Sequence, residues 1–110
     1  MNNYDIVTVY VAFSKGDGGK RRPILVLDFD REGIEFYSLT SKFAKKSKRI
    51  QKQYYKIEDW KEAGLVIPSW IDIGKRIWLP LNEVDKISKV GQLTLRDKEK
   101  LADFLENYFS

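Results

Sequence analysis

Three β-prone segments follow one another near the N-terminus, and they constrain the fold of this chain more than any other feature. Ile6-Val7-Thr8-Val9-Tyr10-Val11-Ala12-Phe13 is dense in β-branched and aromatic residues, which are stiff at χ1 and pack well on a pleated surface. Ile24-Leu25-Val26-Leu27 is a short continuous apolar run, the pattern of a strand buried on both faces. Ile34-Glu35-Phe36-Tyr37-Ser38-Leu39-Thr40 alternates and predicts a third, half-buried strand. Gly16, Gly18 and Gly19 separate the first two segments, and a turn from Asp30 to Gly33 separates the next two. Pro23 fixes its own φ and biases Arg22 towards an extended conformation.

Beyond Thr40 the signals are shorter. Gln53-Tyr54-Tyr55-Lys56-Ile57 predicts a fourth strand, and Glu58 to Ala63 one or two helical turns ended by Gly64 as a C-cap. Ile71 to Leu79 predicts a fifth strand, interrupted near Gly74 and closed by Pro80. The C-terminus then changes period. Thr94-Leu95-Arg96-Asp97 resembles a capping box with Asp in place of Glu, and Leu101, Leu105, Tyr108 and Phe109 follow at helical spacing. This predicts an amphipathic helix of about three to four turns, used for packing. Strands first and a helix last describe a mainly β domain: a curled antiparallel sheet with a helix over one end. The 110 residues fit a single domain, 1–110, and 14% aromatic content argues against disorder despite 33% charged residues. No apolar run is long enough to span a bilayer. Met1-Asn2-Asn3 does not open a secretory signal, so a cytoplasmic location is expected.

Composition narrows the chemistry. Cysteine is absent, which removes disulfides, thiolate nucleophiles and cysteine-ligated zinc. Histidine is absent too, and with it the commonest general base and metal ligand. No metal site or cofactor is expected. A formal charge of +4 points weakly towards a polyanion, and its distribution says more than its total.

Four segments are candidates for function. In Lys15-Gly16-Asp17-Gly18-Gly19-Lys20-Arg21-Arg22-Pro23, glycines allow backbone N–H groups close to a phosphate and the cations supply charge. The P-loop spacing is missing and a strand follows, so the same residues equally describe a solvated hairpin loop. Thr40-Ser41-Lys42 offers two hydroxyls at a strand end to a phosphate oxygen or a 2′-hydroxyl, or simply begins a turn. The run from Lys42 to Lys52 carries Lys45, Lys46 and Arg49 and no acidic residue, and is followed by Tyr54 and Tyr55. Charge beside aromatics suits single-stranded RNA, although one tyrosine of an adjacent strand pair must point inward. In Pro68-Ser69-Trp70-Ile71-Asp72, Asp72 offers an acid or base, or a partner for an arginine, while Trp70 reads as core or subunit interface.

In their order, these pieces resemble the MazF/PemK/Kid family of toxins from type II toxin–antitoxin systems. Asp5-Ile6-Val7, Lys20 to Leu27, Leu39 to Lys42, Ala63 to Ser69 and the Gly91-Gln92-Leu93 turn before a helix all fall in sequence, over nearly the whole chain. The resemblance implies an SH3-like barrel, a homodimer, and a metal-independent endoribonuclease that cuts single-stranded RNA at short sequences. It implies an acidic antitoxin as protein partner. It places the expected catalytic positions at Arg22 and Thr40, with Ser41 in support. Backbone binding would fall to Lys20, Arg21, Lys42, Lys45, Lys46 and Arg49, with Tyr54 stacking on a base. The chain departs from Kid-type members, whose acid–arginine pair maps nearest to Ser69 and Ile67, and from members with an early histidine. The implied reaction is attack of a 2′-hydroxyl on the adjacent phosphorus, leaving a 2′,3′-cyclic phosphate and a 5′-hydroxyl. The alternatives from other classes are a non-catalytic nucleic-acid-binding module of SH3-like or OB-like shape, and a domain whose basic surface meets an acidic protein. Trp60, Trp70 and Trp78 are the candidates for a subunit interface.

Overall fold

A computed structural model describes residues 1–11 and 20–110, with the backbone alone at residues 11 and 20. Residues 12–19, which include most of the glycine-rich loop, lie outside the described part, and so does the end of the first predicted strand. The described residues form β1 (Asp5–Val11), β2 (Lys20–Phe29), β3 (Gly33–Thr40), a 3-10 turn (Phe43–Lys45), α1 (Lys48–Gln51), β4 (Tyr54–Lys56), β5 (Trp70–Asp72), β6 (Ile77–Pro80), a second 3-10 turn (Leu81–Glu83), β7 (Val84–Gln92) and α2 (Leu95–Phe109). The strands make one antiparallel sheet in the order β4-β5-β3-β2-β1-β7, with β6 also paired to β3. The mainly β architecture with a C-terminal helix is therefore as the sequence predicts.

The apolar run of β2 is buried on both faces, because consecutive side chains alternate across a strand. Leu25 belongs to a cluster with Ile6, Tyr37, Leu39, Tyr55, Ile57 and Ile71, over which α2 lays Leu101, Phe104 and Leu105. Ile24 and Val26 belong to a second cluster with Val7, Val9, Ile34 and Phe36. Each fully buried Ile, Leu or Val contributes roughly 1.5–3 kcal/mol of burial free energy. Strand β3 is buried on both faces as well, through Ile34, Phe36, Tyr37 and Leu39, rather than half-buried. Its polar positions Glu35 and Ser38 do not mark a solvent face, because sheet neighbours and both clusters cover it.

Several elements differ from the sequence reading. The predicted fifth strand is two strands, β5 and β6, that share one edge of β3 with an excess loop between them around Gly74. Asp72 organises that loop: its Oδ1 accepts from Gly74 N and from Gln53 Nε2, both at 2.9 Å, so it holds a turn rather than an arginine. The basic run contains a 3-10 turn and α1, which its sequence does not announce. Glu58 to Ala63 forms turns rather than a helix. Its end is nevertheless a Schellman motif, with Leu65 N donating to Trp60 O, Gly64 N to Lys61 O, and Gly64 at φ +93°. Gly91 and Gln92 lie inside β7, not in a turn.

Candidate nucleic-acid interface

The β2–β3 ladder stops at the pair Ile24 and Ser38. Pro23 comes next and has no N–H with which to extend it. Beyond that point β2 continues alongside β1, while β3 turns to β5 through Leu39 and Thr40. A groove of about 720 Å³ opens there. Its basic wall is Arg21, Arg22, Lys42 and Lys46; its apolar wall is Leu65, Val66, Ile67 and Val90. Thr8, Pro23, Leu39, Thr40, Ser41, Gly64 and Ser69 complete the lining. Among the described residues that line it there is no carboxylate.

Six residues singled out from the sequence therefore meet in one place: Arg21, Arg22, Thr40, Ser41, Lys42 and Lys46. Four do not. Lys45 on the 3-10 turn and Arg49 on α1 are exposed but outside the groove lining. Lys20 opens β2 opposite Val11, and its side chain is outside the described part. Tyr54 lies on β4, half-buried, with its ring centroid 6.2 Å from that of Phe43. Phe43 in turn stacks on Trp70, 4.8 Å between centroids and 9° between planes. Burial, and then the Asp72 carboxylate, push the Tyr54 hydroxyl above its ordinary pKa. Its neighbour Tyr55 is the inward member of the pair, with its hydroxyl 2.6 Å from Asp97.

Alternation divides the strand residues of the groove. The unbroken β1–β2 register puts Arg21 and Pro23 on the face of Leu25 and Thr8, above the first core cluster. Arg22 shares the opposite face with Val9 and Ile24. Continuing the Ile24–Ser38 register by two residues brings Arg22 opposite Thr40. Both line the groove where the ladder has ended. The Thr40 Oγ1 accepts from Lys42 N at 3.0 Å, so its own hydrogen remains to be donated. Ser69, nearest to the missing Kid-type acid, is buried and donates to Ile67 O at 3.0 Å.

The apolar wall was not legible as part of a site. Val66 is 88% exposed, an unusual position for a valine, and Ile67 is 48% exposed. Both sit before Pro68 in a stretch that reads in sequence as a connection. Thr8 was missed because it sits within a β-branched strand and looks like any other strand threonine. No group of three His, Cys, Asp or Glu side chains suited to a metal occurs among the described residues, and no described helix is long and apolar enough to cross a membrane. No protein-family model matches the chain, and a search of curated proteins finds no match to it.

Proposed function

We propose that the groove holds the backbone of single-stranded RNA and that the protein is a metal-independent endoribonuclease, a toxin of the MazF/PemK/Kid type neutralised by an acidic antitoxin. The observation that carries this reading is the lining of the groove: four cations, with hydroxyls between them and no described carboxylate to repel an anion. The antiparallel sheet with a terminal helix is compatible with a curled sheet of the SH3-like kind; the homodimer is part of the proposal, with Trp78, 55% exposed, as its interface tryptophan.

In the proposed reaction the 2′-hydroxyl attacks the adjacent phosphorus and gives its proton to solvent water, while the bond to the 5′-oxygen breaks and that oxygen takes a proton from water to become the 5′-hydroxyl. The nucleophile is internal to the substrate, so correct orientation supplies much of the rate. Arg22 donates to the phosphorane oxygens as charge builds on them. It does not act as the base, because a guanidinium keeps its proton at any working pH. Thr40 donates its hydroxyl hydrogen to a phosphate oxygen, Ser41 supports it, and Lys42 and Lys46 bind neighbouring phosphates.

Incubation with long mixed-sequence RNA in EDTA tests the reading. The expected result is discrete cuts ending in 2′,3′-cyclic phosphate, with Arg22→Ala slowing them about 10²–10³-fold. An undiminished rate in that variant overturns the mechanism. A non-catalytic binding module is the second reading, favoured by the want of a described carboxylate to take the 2′-hydroxyl proton. It requires intact RNA retained with steep salt dependence.

A further inference from the structure

Arginines on protein surfaces are usually mobile, but Arg21 is tied down across three adjacent strands. Its Nη1 donates to Thr8 Oγ1 on β1 at 2.7 Å and to the Lys86 carbonyl on β7 at 3.1 Å. Those two bonds use both hydrogens of Nη1. Among the described residues nothing engages Nε–H or Nη2–H. That edge of the guanidinium is the one whose two parallel N–H groups match a phosphate or carboxylate. Among the described residues the fold thus fixes the back of the fork and leaves the front open, at a groove lined by cations.

The acceptor on β7 is built for the purpose by an irregularity. Thr8 pairs with Ser88 and Tyr10 with Asp85, so one more residue is fitted into β7 than into β1 over this step. Bulges of this kind re-aim backbone groups and occur beside functional sites. Within it Lys86 has φ +51°, a conformation that non-glycine residues rarely adopt. Its N–H is held by Asp85 Oδ1 at 3.0 Å and its ammonium lies 5.5 Å from the Tyr10 ring centroid. Thr8 Oγ1 points its own hydrogen towards Ser88 O at 3.5 Å, which leaves a lone pair for Arg21.

We propose that Arg21 is the pre-set phosphate fork of the groove, and that Thr8 and the bulged Lys86 carbonyl are its positioning groups. The ligand is the phosphodiester of single-stranded RNA, so this inference rests on the reading proposed above. Holding the guanidinium in its bound orientation beforehand removes an ordering cost that a free surface arginine pays on binding. Arg21 thereby differs from Lys42 and Lys46, which contribute charge without fixed geometry.

The test is a double-mutant cycle read by binding of a short fluorescein-labelled single-stranded RNA of mixed sequence, with thermal melts as a folding control. Thr8→Val, close in shape but without the hydroxyl, should weaken binding about tenfold, and Thr8→Ser should restore it. In an Arg21→Ala background the valine should add nothing, because the group it positions is gone. Parent-like affinity of Thr8→Val, or independent effects of the two changes, overturns the proposal. Where Thr8→Val does not fold, Thr8→Ser and Arg21→Lys replace it: the serine should bind as the parent, and the lysine, which lacks the fork, should bind as weakly as Arg21→Ala. A lysine that binds as the parent does overturns the fork. If the parent itself binds no RNA, the nucleic-acid reading falls and inorganic phosphate decides the fork alone. A phosphate-dependent shift of the Arg21 Nε–H resonance in the parent then upholds it, and no shift overturns it.

Discussion

Asp97 places a carboxyl group in the interior, with no contact to solvent. It is tolerated because its oxygens are fully occupied: Oδ1 accepts from the Tyr55 hydroxyl at 2.6 Å and Glu58 N at 3.0 Å, and Oδ2 from Asp59 N at 2.8 Å. Replacing it by alanine strands the buried Tyr55 hydroxyl and two part-buried backbone N–H groups, so Asp97→Ala should lower stability by about 3 kcal/mol in urea unfolding. An unchanged unfolding midpoint would contradict this account. Burial, and then the hydrogen bond to Asp97, push the Tyr55 hydroxyl far above its ordinary pKa. A group whose pKa is raised on folding contributes fully below its unfolded value, near 10 for tyrosine, and that contribution fades as pH climbs above it. Stability should therefore decline on the alkaline side of about pH 10, and Tyr55→Phe should flatten the decline in a series of urea titrations. The sequence showed Asp97 as the last residue of a cap, and its N–H does bond Thr94 Oγ1. Its larger task was not legible, since the partners lie some forty residues upstream and only the tertiary fold unites them.

At the scale of elements, what was legible depended on whether local pattern and partner agreed. Strand β2 was plain from Ile24-Leu25-Val26-Leu27, and α2 from its cap and spacing. Strand β7 was not, because Val84, Ile87 and Val90 recur every third residue and the two register shifts against β1 explain why. Its pairing, not its composition, makes it a strand. The turn from Glu58 to Gly64 shows the converse: the C-cap glycine was right while the helix before it was not. Gly64 combines φ +93° with a space in which a Cβ would lie 2.4 Å from Val90 O. Gly64→Ala should therefore cost about 2 kcal/mol, combining backbone strain with displacement of β7. A thermal melt matching the parent would refute it.

For the whole molecule, the candidate site was half legible. The basic wall came from Arg21 and Arg22 on β2 and from Lys42 and Lys46 flanking the 3-10 turn after β3, short clusters that a motif can capture. The apolar wall came from a connection that the fold brings across, which no local pattern announces. If all four groove cations meet phosphates, log affinity for single-stranded RNA should fall against log salt with a slope of about −3. Lys42→Ala with Lys46→Ala should lessen the slope by about 1.4, and equal slopes would remove those lysines from the interface. The two walls also differ in what stands behind them. Where the apolar wall is rooted, the backbones of Ala63–Gly64 and Val90–Gly91 touch, so closely that a Cβ on Gly91 would fall 1.9 Å from Ala63 O. The opposing wall is made of long side chains. A ligand entering this groove thus meets a stiff jaw on one side and, on the other, a held Arg21 beside lysines that can move: it seats against the fixed groups, and differences in ligand width are absorbed by Lys42 and Lys46.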